Sequence, residues 1–124
     1  MHHLRTNSRK LFQVLHTTTN AQAAMMTLRP GQSSSDQVEN EHPRCEQWLY
    51  VVKGTARATM NKRTIQLKAN DLLLIEKGEP HKITNTGKAA LVTLNLYAPP
   101  AYTDKGDVKT LAKIPAIRTA IGLK

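Results

Sequence analysis

Between residues 11 and 98 the chain is cut into short runs of β-forming residues, with turn signals at roughly 8–12-residue intervals. That spacing belongs to an all-β sandwich or barrel. The strongest run is residues 47–53. Gln47, Leu49 and Val51 share one face, and Trp48, Tyr50 and Val52 share the other. Both faces are mostly apolar, so the sequence predicts cover on both. One side is the barrel interior, and the other is a second layer or a partner subunit. Gly54 turns the chain, and residues 55–60 and 64–67 read as a hairpin around Asn61-Lys62-Arg63.

Residues 72–75 are wholly apolar and read as a strand inside a buried sheet. A turn at Ala69-Asn70-Asp71 precedes them and a tight corner at Lys77-Gly78-Glu79-Pro80 follows. Residues 81–85 put His81, Ile83 and Asn85 on one face, and residues 90–98 form a long last strand stopped by Pro99-Pro100. Upstream, residues 11–15 read as a first strand. Residues 23–28 read as a second, with helix as the alternative because of their Ala and Met content. Residues 32–41 are polar and serine-rich, a loop for the surface or for the mouth of a site.

Helical period appears only in the tail, where Val108, Leu111, Ala112, Ile114, Ile117 and Ile121 are divided by Pro115 into at most two short helical turns. The expected organisation is one barrel domain over residues 1–102, frayed at its N-terminus, with a basic tail over residues 103–124. The single cysteine, Cys45, permits no internal disulfide and fits a reducing compartment. No apolar run approaches the ~20 residues of a membrane helix, and the N-terminus has no signal-peptide core. The expectation is a cytoplasmic protein without membrane contact. The net charge is +9, but the cations are scattered rather than blocked. They read first as solvated surface, second as attraction for an anionic substrate, and only third as a nucleic-acid footprint.

The chemistry candidates are His42 and His81. Neutral imidazole suits iron, manganese, nickel, zinc or copper to differing degrees. Gln47 faces inward if Leu49 and Val51 do, and its amide oxygen is a weak neutral donor. Asn40, Glu41 and Glu39 are the nearest upstream additions. The plainer readings stand beside these. An inward histidine can simply be hydrogen-bonded, Gln47 can be a core-edge amide, and Trp48 and Tyr50 can be packing or a dimer face. Cys45, in the turn before the strand, reads as an exposed or half-buried thiol with no catalytic partner. Glu76 and Glu79 read as solvated loop charges, with a general base near His81 as the alternative. There is no Gly-rich phosphate loop, no Gly-x-Ser-x-Gly and no Cys-x-x-Cys.

At these residues the chain resembles the cupin superfamily, the small jelly-roll barrels with a double-stranded β-helix. The resemblance covers residues 30–100. The first cupin motif runs from a glycine through His-x-His and a glutamate into an apolar strand and a closing glycine. His42 matches the second histidine and Gly54 the closing glycine. Asn40 stands where the first histidine lies, and Gln47 stands at the glutamate position counted back from Gly54. Glu46 falls one residue early on that count, on the opposite face. In the second motif Asn70 replaces the glycine and Glu76 the proline, while Gly78, His81 and Asn85 match.

The resemblance implies a cupin barrel with a pocket lined by His42, Gln47, His81, Leu49 and Ile83. It implies a small-molecule ligand, a homodimer and a candidate metal set of His42, Gln47, His81 and Asn40. Two functions follow as expectations. One is a metal-dependent enzyme of dioxygenase or isomerase type acting on a small polar or anionic metabolite. The other, favoured by the departures at Asn40 and Gln47, is a non-catalytic binding module for a sugar or organic anion.

Overall fold

A computed structural model describes residues 1–39 and 42–103. The expected helical turns of the tail, and Asn40 and Glu41, lie outside the described residues. Eight strands run in order: β1 Phe12–Thr17, β2 Gln22–Leu28, β3 Glu46–Lys53, β4 Thr55–Thr59, β5 Thr64–Lys68, β6 Leu72–Ile75, β7 Lys82–Asn85 and β8 Leu91–Ala98. They form a five-stranded antiparallel sheet, β1-β2-β8-β3-β6, and a three-stranded one, β5-β4-β7. The fold is the all-β jelly roll. Residues 22–28 are strand, not helix. Among the described residues no helix is long and apolar enough to cross a membrane.

The two sheets face each other across a core of Ala24, Leu28, Leu49, Val51, Ala56, Ala58, Ile75, Ile83 and Leu91, each at most 1% exposed. Period-2 alternation supplies this core from both sides. β3 turns Gln47, Leu49 and Val51 inward, β4 turns Ala56 and Ala58, and β7 turns Ile83 and Asn85. The turns rest on particular residues. Gly54 has φ +99°, and a Cβ there would sit 2.9 Å from the carbonyl oxygen of Ala90. Asn70, which replaces a glycine of the motif, adopts φ 78°, a region that asparagine tolerates better than most residues.

Two expectations are corrected. β6 is the outermost strand of its sheet, so Leu72 and Leu74 on its outer side are 60% and 40% exposed instead of buried. Over the outer face of β3 the described residues place no second layer, with Trp48 and Val52 exposed and Tyr50 half-buried, which leaves a partner subunit as its expected cover. Cys45 is buried, 5% exposed, and packs in the core. The polar loop, in turn, is more than surface. Gln32 accepts a bond from the amide of Asn85, the Ser34 amide donates to Ile83, and Glu39 exchanges backbone bonds with His81. It therefore covers one edge of β7 and buries Ser34 and Ser35.

Candidate functional site

Register brings the polar residues together. Across the large sheet Gln22 pairs with Tyr97 and Tyr97 with Gln47, so the three form one inward row. The next row inward holds Ala24, Asn95 and Leu49, and the one after it Met26, Thr93 and Val51. β8 is thus inverted relative to an ordinary amphipathic strand. Its polar Thr93, Asn95 and Tyr97 are buried, while Leu96 on the opposite side is 45% exposed. The alternation Thr-x-Asn-x-Tyr in the last strand is the sequence signal for this.

Two turns aim the histidines. The amide of Cys45 donates to the carbonyl of His42 over 3.0 Å, closing a turn with Pro43 at its second position. That turn delivers His42 beneath the start of β3. On the other side the Glu79 amide donates to Glu76 over 3.0 Å, with Gly78 at φ +83°. The corner ends in His81, whose Nδ1 lies 2.9 Å from the carbonyl of Glu79. The two rings meet with centroids 5.0 Å apart, and both residues are buried. Tyr97 meets His42 edge-on at 5.1 Å.

The hydrogen-bond chain assigns the protons. Asn95 Nδ2 lies within reach of the carbonyls of Thr93 and Ala24, at 3.4 and 3.5 Å, and of Thr93 Oγ1 at 3.0 Å. Carbonyls only accept, so Asn95 presents its Oδ1 to Gln47, which donates from Nε2 over 2.9 Å. Gln47 Oε1 is then the acceptor for His42 Nε2–H at 2.7 Å. The lone pair of His42 is left on Nδ1, which is buried without a hydrogen-bond partner. His81 takes the opposite tautomer. A carbonyl beside Nδ1 requires a proton there, so its lone pair is on Nε2. Burial, then the neighbouring His81 imidazole, pushes His42 down to about 4, against the pull of the Gln47 bond and of the backbone at His42 and Cys45. Burial lowers His81 as well, against the Glu79 carbonyl. Both rings are neutral at pH 7.

These side chains border a cleft between the sheets. Phe12, Met26, Gln47 and Tyr97 contribute from the large sheet, His81 and Ile83 from the β7 side, and Ser34, His42 and Tyr102 from connecting segments. Counting its open mouth, the cleft encloses about 300 Å³. Leu49, expected in the lining, lies one row deeper in the core. Tyr97, Tyr102, Ser34 and Phe12 were not singled out from the sequence as lining residues. Glu39 faces His81 across a backbone bridge. Burial, then Asp36, raises its carboxyl, and one of its oxygens is buried without a partner.

A resident metal ion finds an incomplete donor set here. Among the described residues no three His, Cys, Asp or Glu side chains gather as a metal-binding group. Two neutral nitrogens remain, and the Gln47 oxygen is engaged by His42. A firmly held first-row ion needs three or four such donors. The described residues therefore do not by themselves complete the coordination of a resident ion.

Comparison with known proteins agrees with this architecture. Residues 24–97 match the family model described as the cupin domain. Over 87 residues the chain is 34% identical to the mannose-1-phosphate guanylyltransferase ManC of Salmonella typhimurium, covering 70% of this chain and 17% of that protein. Over 98 residues it is 28% identical to the oxalate decarboxylase OxdC of Bacillus subtilis, covering 75% of this chain and 25% of that one. The chain thus spans a quarter or less of the length of these two relatives. A crystal structure of a Bacillus halodurans protein superposes with a TM-score of 0.73 at 24% identity, over 90% of this chain and 84% of that one, a likeness of fold alone.

Proposed function

The chain belongs to the cupin family, and from that premise we propose that it is a small-molecule-binding cupin whose cleft takes a small, neutral, hydroxyl-bearing ligand. The observation that carries this reading is the absence of formal charge among the described residues of the cleft walls. No Lys, Arg, Asp or Glu is among the lining residues described, and both imidazoles are neutral. An anion entering would lose hydration with no cation to offset the loss. A neutral polyol or sugar would find the His81 Nε2 lone pair as acceptor, and the aromatic faces of Phe12, Tyr97 and Tyr102 as apolar walls. The positive charge of the chain lies elsewhere. Arg57, Lys62, Arg63 and Lys68, for example, sit on the exposed side of the β4–β5 hairpin.

A second reading is supported by one atom, the unpartnered and buried His42 Nδ1. In a metal-dependent enzyme of dioxygenase or isomerase type, that nitrogen and His81 Nε2 would hold a divalent ion. Asn40 and a reoriented Gln47 would be the further donors.

One experiment separates the readings. Protein purified without chelator is analysed for metals, then titrated calorimetrically with neutral sugars and polyols, the matching carboxylates, and divalent ions. Binding of neutral compounds at pH 7, with carboxylates silent and no stoichiometric metal, supports the first reading. Stoichiometric metal that is lost in both His42→Ala and His81→Ala replaces it with the second. Carboxylates binding where neutral compounds do not would contradict the uncharged-cleft argument outright.

A further inference from the structure

Gln22 opens β2 and is 1% exposed, yet its side-chain amide has no unused hydrogen-bonding capacity. Nε2 donates to Thr17 Oγ1 over 2.9 Å and to the carbonyl of Tyr102 over 2.8 Å. Oε1 accepts from the amides of Ala101 and Tyr102 over 3.2 and 3.0 Å. Two donors and two acceptors are all that an amide offers. A backbone N–H can only donate and a backbone carbonyl can only accept, so the orientation is fixed. The side chain grips the main chain of Tyr102 from both sides, as a neighbouring strand would, across 80 positions of sequence.

What is held there matters to the cleft. After β8 the chain bends at Pro99, and Ala101 and Tyr102 are buried at 3% exposure each. The Tyr102 ring packs against Phe12 at 4.8 Å and Tyr97 at 5.0 Å, with His42 at 6.4 Å, and it borders the cleft. Gln22 is not itself a lining residue; its backbone pairs with lining residue Tyr97, while the hydrogen bonds of its side chain reach the lining through Tyr102.

We propose that residues 99–103 are a strap across the cleft, with Tyr102 as the wall a ligand meets, and that Gln22 is the positioning residue that latches it. The wall's relevance to a ligand rests on the binding reading above; the latch does not. Opening the strap exposes His42 and His81 and widens the mouth. Gln22 thereby sets the entry rate and the size of what enters, without touching the ligand.

The test uses the full chain and two variants. Gln22→Met keeps the volume and removes every bond of the amide, and Tyr102→Ala removes the wall and leaves Gln22 in place. Residue-resolved amide exchange reads the strap, with Leu49 and Val51 as controls for the fold. Diethylpyrocarbonate modification, followed peptide by peptide, reads access to His42 and His81. In Gln22→Met the amides of Ala101 and Tyr102 should exchange roughly tenfold faster or more, the scale of losing several hydrogen bonds. The controls should stay protected, and both histidines should react faster. Tyr102→Ala should speed the histidine reaction by itself.

Unchanged exchange at Ala101 and Tyr102 in folded Gln22→Met overturns the latch. Unchanged histidine reactivity in Tyr102→Ala overturns the wall, and that arm stands even if Gln22→Met does not fold. A strap that opens in a protein binding none of the neutral compounds keeps the latch and removes the ligand reading.

Discussion

His42 Nε2 and Gln47 Oε1 are 2.7 Å apart, and the direction of the bond between them is set by Asn95, on the neighbouring strand β8. This relationship gives a physical reason for an amide at position 47. Gln47 must accept from His42 and donate to Asn95 at once. A carboxylate can do the first and not the second.

Gln47→Glu therefore changes the electrostatics of the site in a known direction. A carboxylate beside the ring favours imidazolium, so the His42 pKa should climb from about 4 by about one unit or more. An NMR pH titration of the ring measures this. A His42 that still titrates near 4 would mean that residue 47 does not face it.

Stability should depend on pH through the same ring. His42 is lowered to about 4 in the folded chain against 6.5 when exposed, so below pH 6.5 the unfolded state binds the extra proton. Stability is fully present above pH 6.5 and is lost as pH falls towards 4, by on the order of 3 kcal/mol. His81 is shifted in the same direction and steepens the loss. Urea unfolding from pH 7.5 to 4 should show this slope, and His42→Gln should flatten it. A stability independent of pH across that window would contradict the neutral-imidazole assignment.

Two turn positions should respond unequally to substitution. Gly54→Ala puts a Cβ 2.9 Å from the Ala90 oxygen at φ +99°, and should cost about 1–3 kcal/mol. Asn70→Gly relieves the positive φ but loses the 2.6 Å bond from Tyr50 Oη, so its net effect should stay within about 1 kcal/mol. Thermal unfolding of the pair measures the contrast, and equal effects would mean that the Gly54–Ala90 approach is not tight.

The outer face of the large sheet carries Trp48 beside Leu74 and Leu96 in register, with Leu72 and Val52 exposed nearby. Such a contiguous apolar face is what a second copy would cover. Light scattering should give twice the mass of the 13.8 kDa chain, and Leu74→Lys should return it to monomer without lowering its melting temperature. A monomer at micromolar concentration would leave the face to some other cover.

Most strand limits were legible in the sequence because their causes are local. Alternation marked β3 and β7, and Gly54, Asn70 and Gly78 marked the turns by backbone needs that only a few residues meet. β6 was placed at Leu72–Ile75, but its burial was not legible, because an apolar strand does not say whether it is central or outermost. The site was legible only in part. His42 and His81 were expected to meet, and their rings do. The Asn95–Gln47–His42 chain depends on cross-strand register, and the Gln22–Tyr102 grip joins residues 80 positions apart. Neither leaves a short-range mark. Cys45 was misjudged because a turn residue is exposed by default, and only the packed barrel shows what covers it.

Two neutral imidazoles hold their protons on opposite nitrogens in a cleft whose described walls carry no formal charge. Long-range ¹⁵N–¹H correlation spectra of the ring nitrogens at pH 7 read this directly. The prediction is a proton on Nε2 and a bare Nδ1 for His42, and the reverse for His81. An imidazolium at either residue, or a His42 with its proton on Nδ1, would contradict it.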